Sequence, residues 1–164
     1  MNNYFEDAVN KTLELEGFLS NDKNDSGGLT KYGISQKAYP NEDIKNLTLE
    51  KAKFLYKRDY WDANKCGDIL DKAIAMQIFD IAVNGGLVVV QRAINAMLPK
   101  GITIKEDGVI GNATLTKINS LDAKTLNNNI MRYRNRRYAK ICVDNPSQLD
   151  FAIGWADRCC KFAY

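Results

Sequence analysis

Histidine is absent from all 164 residues, and that omission removes several chemistries at once. Ser-His-Asp and Cys-His relays need an imidazole to carry the proton, and the usual zinc hydrolases need imidazole ligands. Any catalysis therefore rests on carboxylates, lysine, tyrosine or a cofactor. Cysteine is scarce, and Cys66, Cys142, Cys159 and Cys160 follow no zinc-ligand spacing. The neighbours Cys159 and Cys160 could bridge each other only with strained geometry, so buried free thiols made in a reducing compartment are expected. No apolar run approaches the ~20 residues that span a bilayer, so no membrane segment is expected. The opening stretch "MNNYFEDAVNKTLELEG" is acidic and amphipathic, without the continuous apolar core of a secretory signal peptide. There is no internal repeat and no low-complexity tract.

What is present suits an ordinary soluble globular protein: 45% hydrophobic and 26% charged residues, in a length that fits one domain or one with a small appendage. The net charge of +3 is unevenly spread. Residues 1–97 hold 12 Lys/Arg against 14 Asp/Glu, whereas residues 98–164 hold 11 against 6. Arg132, Arg134, Arg136, Arg137 and Lys140 dominate that excess. Such a face could meet nucleic acid, anionic lipid or an anionic wall polymer, although a solvated helix face is the commoner meaning. No nucleic-acid-binding motif accompanies it, so no nucleic-acid partner is expected.

Apolar periodicity predicts a first helix over residues 3–16, with Phe5, Ala8, Val9, Thr12 and Leu13 inward. Asn3 followed by Glu6 resembles a capping box, and Gly17 is a natural stop. Residues 18–36 form a Gly/Asn/Asp-rich loop with a two-stranded hairpin. Thr48 caps a helix to about Asp59 with Ala52, Leu55 and Tyr56 inward, and Asp71 opens another that ends at Gly85-Gly86. "LVVVQRAINAML" continues as a buried helix, although its valine run alone could be a strand. Helices return near 112–120, 122–143 and 147–160, with Trp155 assigned to the core. The expected fold is mainly α, with one small β-hairpin near the N-terminus.

Within this frame the stretch Leu13–Ser35, "LELEGFLSNDKNDSGGLTKYGIS", stands out. Glu16 closes a helix, where the negative end of the macrodipole disfavours a second negative charge. Apolar packing there would raise its pKa further, as suits a general acid; pointing to solvent would be the plain alternative. Asp22 and Asp25 follow on a loop able to fold back. Two carboxylates across a cleft are the minimum equipment for glycoside hydrolysis, one protonating the leaving oxygen and the other activating water or stabilising the transition state. Thr30 could hold a water, and Gly27-Gly28 would permit a close backbone approach. Calcium fits poorly, because the EF-hand pattern begun at Asp22 meets Gly33 where its bidentate glutamate belongs. Phosphate cradling by "SGG" lacks the Gly-Lys-Ser/Thr ending. Neither metal nor cofactor is expected.

The order Glu-Gly-aromatic, then Asn-Asp-x-x-Asp-x-Gly-Gly-x-Thr-x-Tyr-Gly-Ile-Ser, resembles the signature of glycoside hydrolase family 108, the phage and bacterial N-acetylmuramidases. The family's Glu-Gly-Gly stands here as Glu16-Gly17-Phe18. Its Asp-Pro-x-Asp-Pro-Gly-Gly stands as Asp22-Lys23-Asn24-Asp25-Ser26-Gly27-Gly28, without either proline. The likeness continues through "AYPNEDIKNLTLEKAKFLYKRDYWD" and "MQIFDIAVNGG". "EDGVIGNATLTKI" and "FAIGWADRCC" resemble the predicted peptidoglycan-binding region that accompanies the family. The spacing is also similar to the Glu-x8-Asp/Cys-x5-Thr triad of phage-type lysozymes, one residue short before Thr30.

The resemblance implies a lysozyme-like catalytic region over residues 1–97. A helical peptidoglycan-binding region would occupy residues 98–164, packed with the first as one unit. It implies cleavage of the bond between N-acetylmuramic acid and N-acetylglucosamine. Glu16 would be the general acid, with Asp25 (or Asp22) and Thr30 positioning water or stabilising charge. Tyr32, Tyr60 and Trp61 would stack on sugar faces, core packing being the alternative for Tyr60 and Trp61. Asn84 would bond an acetamido group or cap its helix. The implied protein is a monomeric endolysin made in the host cytoplasm and released to the wall by a holin or a secretion pathway. A wall-remodelling muramidase and a non-catalytic wall-binding module are the other roles weighed.

Overall fold

In the computed structural model, residues 4–16, 19–20 and 29–162 are described. Helix α1 spans Phe5–Glu16 and buries Phe5, Ala8, Val9 and Thr12, the i, i+3, i+4, i+7 stripe that its periodicity foretold. Asn3, Gly17 and the capping box proposed at Asn3 lie outside the described residues. The expected hairpin is a three-stranded antiparallel meander of β1 (Leu19–Ser20), β2 (Thr30–Lys31) and β3 (Ile34–Ser35), in that order. Ser20 pairs with Thr30, and Thr30 with Ser35, so Thr30 occupies the central strand. The ladder extends one step further through Gln36 N donating to the Leu29 carbonyl at 2.9 Å.

Helix α2 (Leu49–Tyr56) is capped by Thr48, whose hydroxyl accepts from Lys51 N at 3.2 Å. It does not run on as an α-helix to Asp59, because residues Lys57–Asp62 form a π-helical segment. A short 3-10 turn, Cys66–Asp68, then leads to α3 (Lys72–Asn84), capped by Asp71 accepting from Ile74 N. Helix α4 covers Val88–Asn95, which settles the valine run as helical. Then follow α5 (Asn112–Ser120), the long α6 (Ala123–Asp144), a 3-10 stretch Pro146–Phe151, and α7 (Ala152–Cys160). None of the described helices is long and apolar enough to cross a membrane.

One hydrophobic core runs from Phe5 in α1 through Ile78 and Phe79 in α3 and Val90 in α4 to Ile118, Leu126 and Ile130. Both halves of the sequence therefore contribute to the same interior. They are also joined by charge. Asp80 of α3 is fully buried and bonds Arg134 of α6 at 2.7 Å and Arg158 of α7 at 2.7 and 2.9 Å. Three side-chain assignments differ from expectation. Arg134, counted with a solvent-facing cationic face, is 2% exposed and belongs to this interior pair. Trp155 is half-buried and stacks between Tyr138 at 4.9 Å and Phe151 at 6.0 Å. Cys66, Cys142 and Cys159 are buried free thiols, but Cys160 is exposed; burial pushes the Cys66 thiol up, keeping it protonated and inert.

Candidate active site

The backbone brings a helix end and a sheet together at the point the sequence singled out. Helix α1 stops at Glu16, and β1 begins three residues later. The connection from β1 to β2 carries Asp22, Asp25 and Gly27-Gly28, which lie outside the described residues. It returns the chain to Thr30, half-buried and directly opposite Ser20. Glu16 thus stands at the carbonyl end of a twelve-residue helix, three residues before the strand that pairs with Thr30.

The next turn explains why Tyr32 stands where it does. Tyr32 and Gly33 both have positive φ, 54° and 74°, the arrangement of a two-residue I′ turn joining twisted antiparallel strands. Glycine adopts this freely, whereas an aromatic residue does so at a cost. The cost is offset from outside the turn: the buried Tyr56 hydroxyl donates to the Tyr32 carbonyl at 3.0 Å, and Lys31 Nζ sits 5.6 Å from the centre of the Tyr32 ring. The Tyr32 ring itself is half-buried.

The π-helical segment sorts the aromatics that follow. One extra residue per turn rotates Asp59, Tyr60 and Trp61 away from the positions an α-helix would give them, a distortion common at functional sites. Trp61 turns inward. It is 2% exposed, with ring-edge contacts at 5.6 Å to both Phe5 and Phe79. So enclosed a ring offers no face to a sugar, which corrects the stacking role and leaves Trp61 in the core. Tyr60 stays half-buried, tilted against Tyr56 at 5.8 Å. Tyr32 and Tyr60 therefore gather around Tyr56.

Two residues that the sequence did not single out brace this cluster. Arg58 grips both oxygens of Asp59 at 2.6 and 2.7 Å, and the Tyr39 hydroxyl donates to Asp59 Oδ2 at 2.9 Å. The Arg58 hydrogen bonds, joined by that from Tyr39, hold the Asp59 carboxyl below its usual range. Burial, then the bonds to Tyr60 and Asp59, push the Tyr39 phenol up. Asp59 is thus a fixed anion that positions its neighbours, not a proton carrier. The signal available in the sequence was the Tyr56–Tyr60 spacing; the bond back to Tyr39 required the fold.

Asn84 is the last residue of α3, exposed, its amide donating to the Asp80 carbonyl at 2.7 Å. That is the capping alternative, and it leaves Oδ1 outward. Gly85 and Gly86 follow with φ of 75° and 105°, ending the helix. No bond joins Asn84 to the tyrosine cluster among the described residues. Among the same residues no group of three or more Cys, Asp or Glu side chains could hold a metal ion.

The Glycosyl hydrolase 108 family profile matches residues 9–86, from α1 to the end of α3. The Predicted Peptidoglycan domain profile matches residues 85–160, so the two meet at Gly85-Gly86. Among solved structures, "Structure of Brucella abortus SagA" is similar in fold, at 23% sequence identity and a TM-score of 0.75. That match covers 96% of this chain and 90% of the other. No curated protein sequence matches the chain.

Proposed function

We propose that the chain is a peptidoglycan hydrolase of the N-acetylmuramidase kind, a reading supported by the Glycosyl hydrolase 108 match over residues 9–86 and the peptidoglycan-domain match over residues 85–160. It cleaves the β-1,4 bond between N-acetylmuramic acid and N-acetylglucosamine, with Glu16 as the general acid. The observation that carries this reading is the placement of Glu16 as the last residue of α1, opening directly into the strand that pairs with Thr30. In this reading Glu16 gives a proton to the leaving glycosidic oxygen as the C–O bond breaks. The second carboxylate comes from the β1–β2 loop, Asp25 ahead of Asp22, and stabilises the positive charge at the anomeric carbon or activates the attacking water. Thr30 orients that water from the central strand. Tyr32 and Tyr60, gathered on Tyr56, give flat apolar surfaces for the pyranose rings, and Asn84 Oδ1 accepts from an acetamido N–H.

The biological role within this proposal is host lysis, as an endolysin released to the wall. Mass spectrometry of digested sacculi tests the bond. Fragments ending in reducing N-acetylmuramic acid support the proposal. Anhydro-muramic ends would replace it with a lytic transglycosylase, and freed stem peptides with an amidase or peptidase. Expression with and without a co-expressed holin tests the role: lysis should require the holin.

A further inference from the structure

The outer face of α6 forms a second concave site, with a cavity of about 390 Å³. Tyr133, Arg136, Arg137, Lys140, Ile141 and Asp144 line it, at the i, i+3, i+4, i+7, i+8, i+11 positions that share one side of a helix, and Arg92 closes it from α4. Its charges are not equivalent. Arg92 is paired with Glu106 at 3.1 Å and Lys140 with Asp144 at 3.0 Å. Arg136 and Arg137 have no carboxylate partner among the described residues. Each is nevertheless held in place. The Arg136 guanidinium lies 5.4 Å from the centre of the Tyr133 ring. The Arg137 guanidinium lies 5.9 Å from the Tyr138 ring and packs on the backbone of Gly86, where a Cβ would come within 2.7 Å of its Nε.

We propose that this pocket binds the carboxylates of a peptidoglycan stem peptide, with Arg136 and Arg137 as the two anion-binding groups. The inference rests on the muramidase reading and extends it from the sugar chain to the peptide. The glycan backbone offers acetamido groups and hydroxyls, whereas the free carboxylates of this polymer are concentrated on its peptides. A guanidinium fork matches a carboxylate in bidentate fashion, and two forks fixed by ring and backbone contacts lose little freedom on binding. The apolar stems of Tyr133 and Ile141 suit the aliphatic parts of a peptide. A long polyanion fits less well. Nucleic acid and phosphate polymers favour an unbroken row of cations, whereas here Glu106 and Asp144 neutralise the rim and Arg134 is turned inward to Asp80. The location also suits the task, since Gly86 marks the junction of the two family matches. A peptide held there sits beside the end of the glycan-cleaving region.

The test compares the full chain with R136Q/R137Q by co-sedimentation on three preparations. These are intact sacculi, sacculi stripped of phosphate-containing polymers, and peptide-free strands of β-1,4-linked N-acetylglucosamine (chitin), which carry no carboxylate. The proposal expects the variant to bind both peptide-bearing preparations about tenfold or more weakly, the scale of losing two charge-assisted contacts. On peptide-free strands the two proteins should bind alike. R136K/R137K keeps the charge without the fork and should fall between, which separates recognition from misfolding; unchanged circular dichroism melts complete that control. Equal binding of variant and wild type to intact sacculi would overturn the proposal. So would a difference that vanishes on phosphate stripping, or one that is carried over to duplex DNA. Because the readout is binding, it stands apart from catalysis: failure of the wild type to cleave any glycan would sink the muramidase reading while leaving the peptide comparison decisive.

Discussion

The two halves of the molecule hold their candidate functional side chains on opposite kinds of backbone. In the first half the candidates stand where regular structure stops. Glu16 ends α1, Tyr32 lies in a left-handed turn, Tyr60 sits on the π-helical segment, and Asn84 ends α3. In the second half the cations share one regular 22-residue helix, α6, and helical phase separates Arg134 from Arg136. Arg134 turns in to Asp80, whereas Arg136, two residues on, turns out to the pocket. A step of two residues rotates a helical side chain by roughly 200°, so the same residue type becomes an interior strut in one case and a pocket-lining cation in the next. The contrast has a general meaning. Acid, water and sugar must converge from several directions, which periodic backbone cannot arrange; a charged patch needs one face, which periodicity makes directly.

Substitutions at matched points should separate the two halves. The largest effect is expected from Glu16→Gln, which should slow clearing of a turbid wall suspension by about 10²–10⁴-fold, the usual scale for a lost general acid. Its melting temperature should stay that of the wild type; full retained activity would sink the assignment. Asp80→Asn should do the reverse. Removing one partner of a buried pair strands the guanidiniums at about 3–5 kcal/mol, seen in calorimetry as a fall of roughly 6–20 °C for a chain this size. A single transition is expected, since the core is shared; two transitions would mean that the halves fold separately.

A smaller loss should follow Gln91→Leu. Buried Gln91 donates to Asp107 Oδ1 at 2.8 Å and to the Val109 carbonyl at 3.1 Å, and accepts from Gly108 N at 2.7 Å. Removing these bonds should cost about 1–2 kcal/mol in urea unfolding. The same change can be followed by pH. The Gln91 bond, joined by Val109 N–H, holds the exposed Asp107 carboxyl at about 2. A depressed carboxylate pKa stabilises the fold above the ordinary range and loses that contribution as pH falls toward 2. In the variant an NMR titration should find the Asp107 midpoint moved up toward the usual value. The mildest change is Tyr56→Phe, which removes the bond to the Tyr32 carbonyl. About 1 kcal/mol of stability should go, with a modest rise in the KM for glycan; a larger effect on kcat would place Tyr56 nearer the reaction than its burial suggests.

Much of the fold was legible because it rests on local rules. The stripe Phe5-Ala8-Val9-Thr12, the caps at Thr48 and Asp71 and the stop at Gly85-Gly86 are near-neighbour effects, and each stands where periodicity and capping chemistry put it. The misreadings have a common origin. Lys57–Asp62 has no Gly or Pro to interrupt a helix, so nothing local announces its wider π pitch, and with it the inward turn of Trp61. Arg134 looks like its cationic neighbours until Asp80, 54 positions away, is brought beside it. Trp155 was given to the core because tryptophan usually goes there, but it is only half covered, stacking on Tyr138 and Phe151 near the chain's end.

The sequence by itself narrowed the chemistry to be expected. Without histidine, and with Glu16 at a helix stop ahead of Asp22, Asp25 and Thr30, a carboxylate mechanism was the one its residue types best supported. It also determined the helices, since periodicity and caps act over a few residues. The tertiary structure alone decided which aromatic rings stay accessible, which arginine is spent in the core, and that Arg136 and Arg137 share a pocket with α4. Those outcomes depend on residues distant in sequence meeting in space, where burial turns a charge into a liability that must be paired or a contact that can be used.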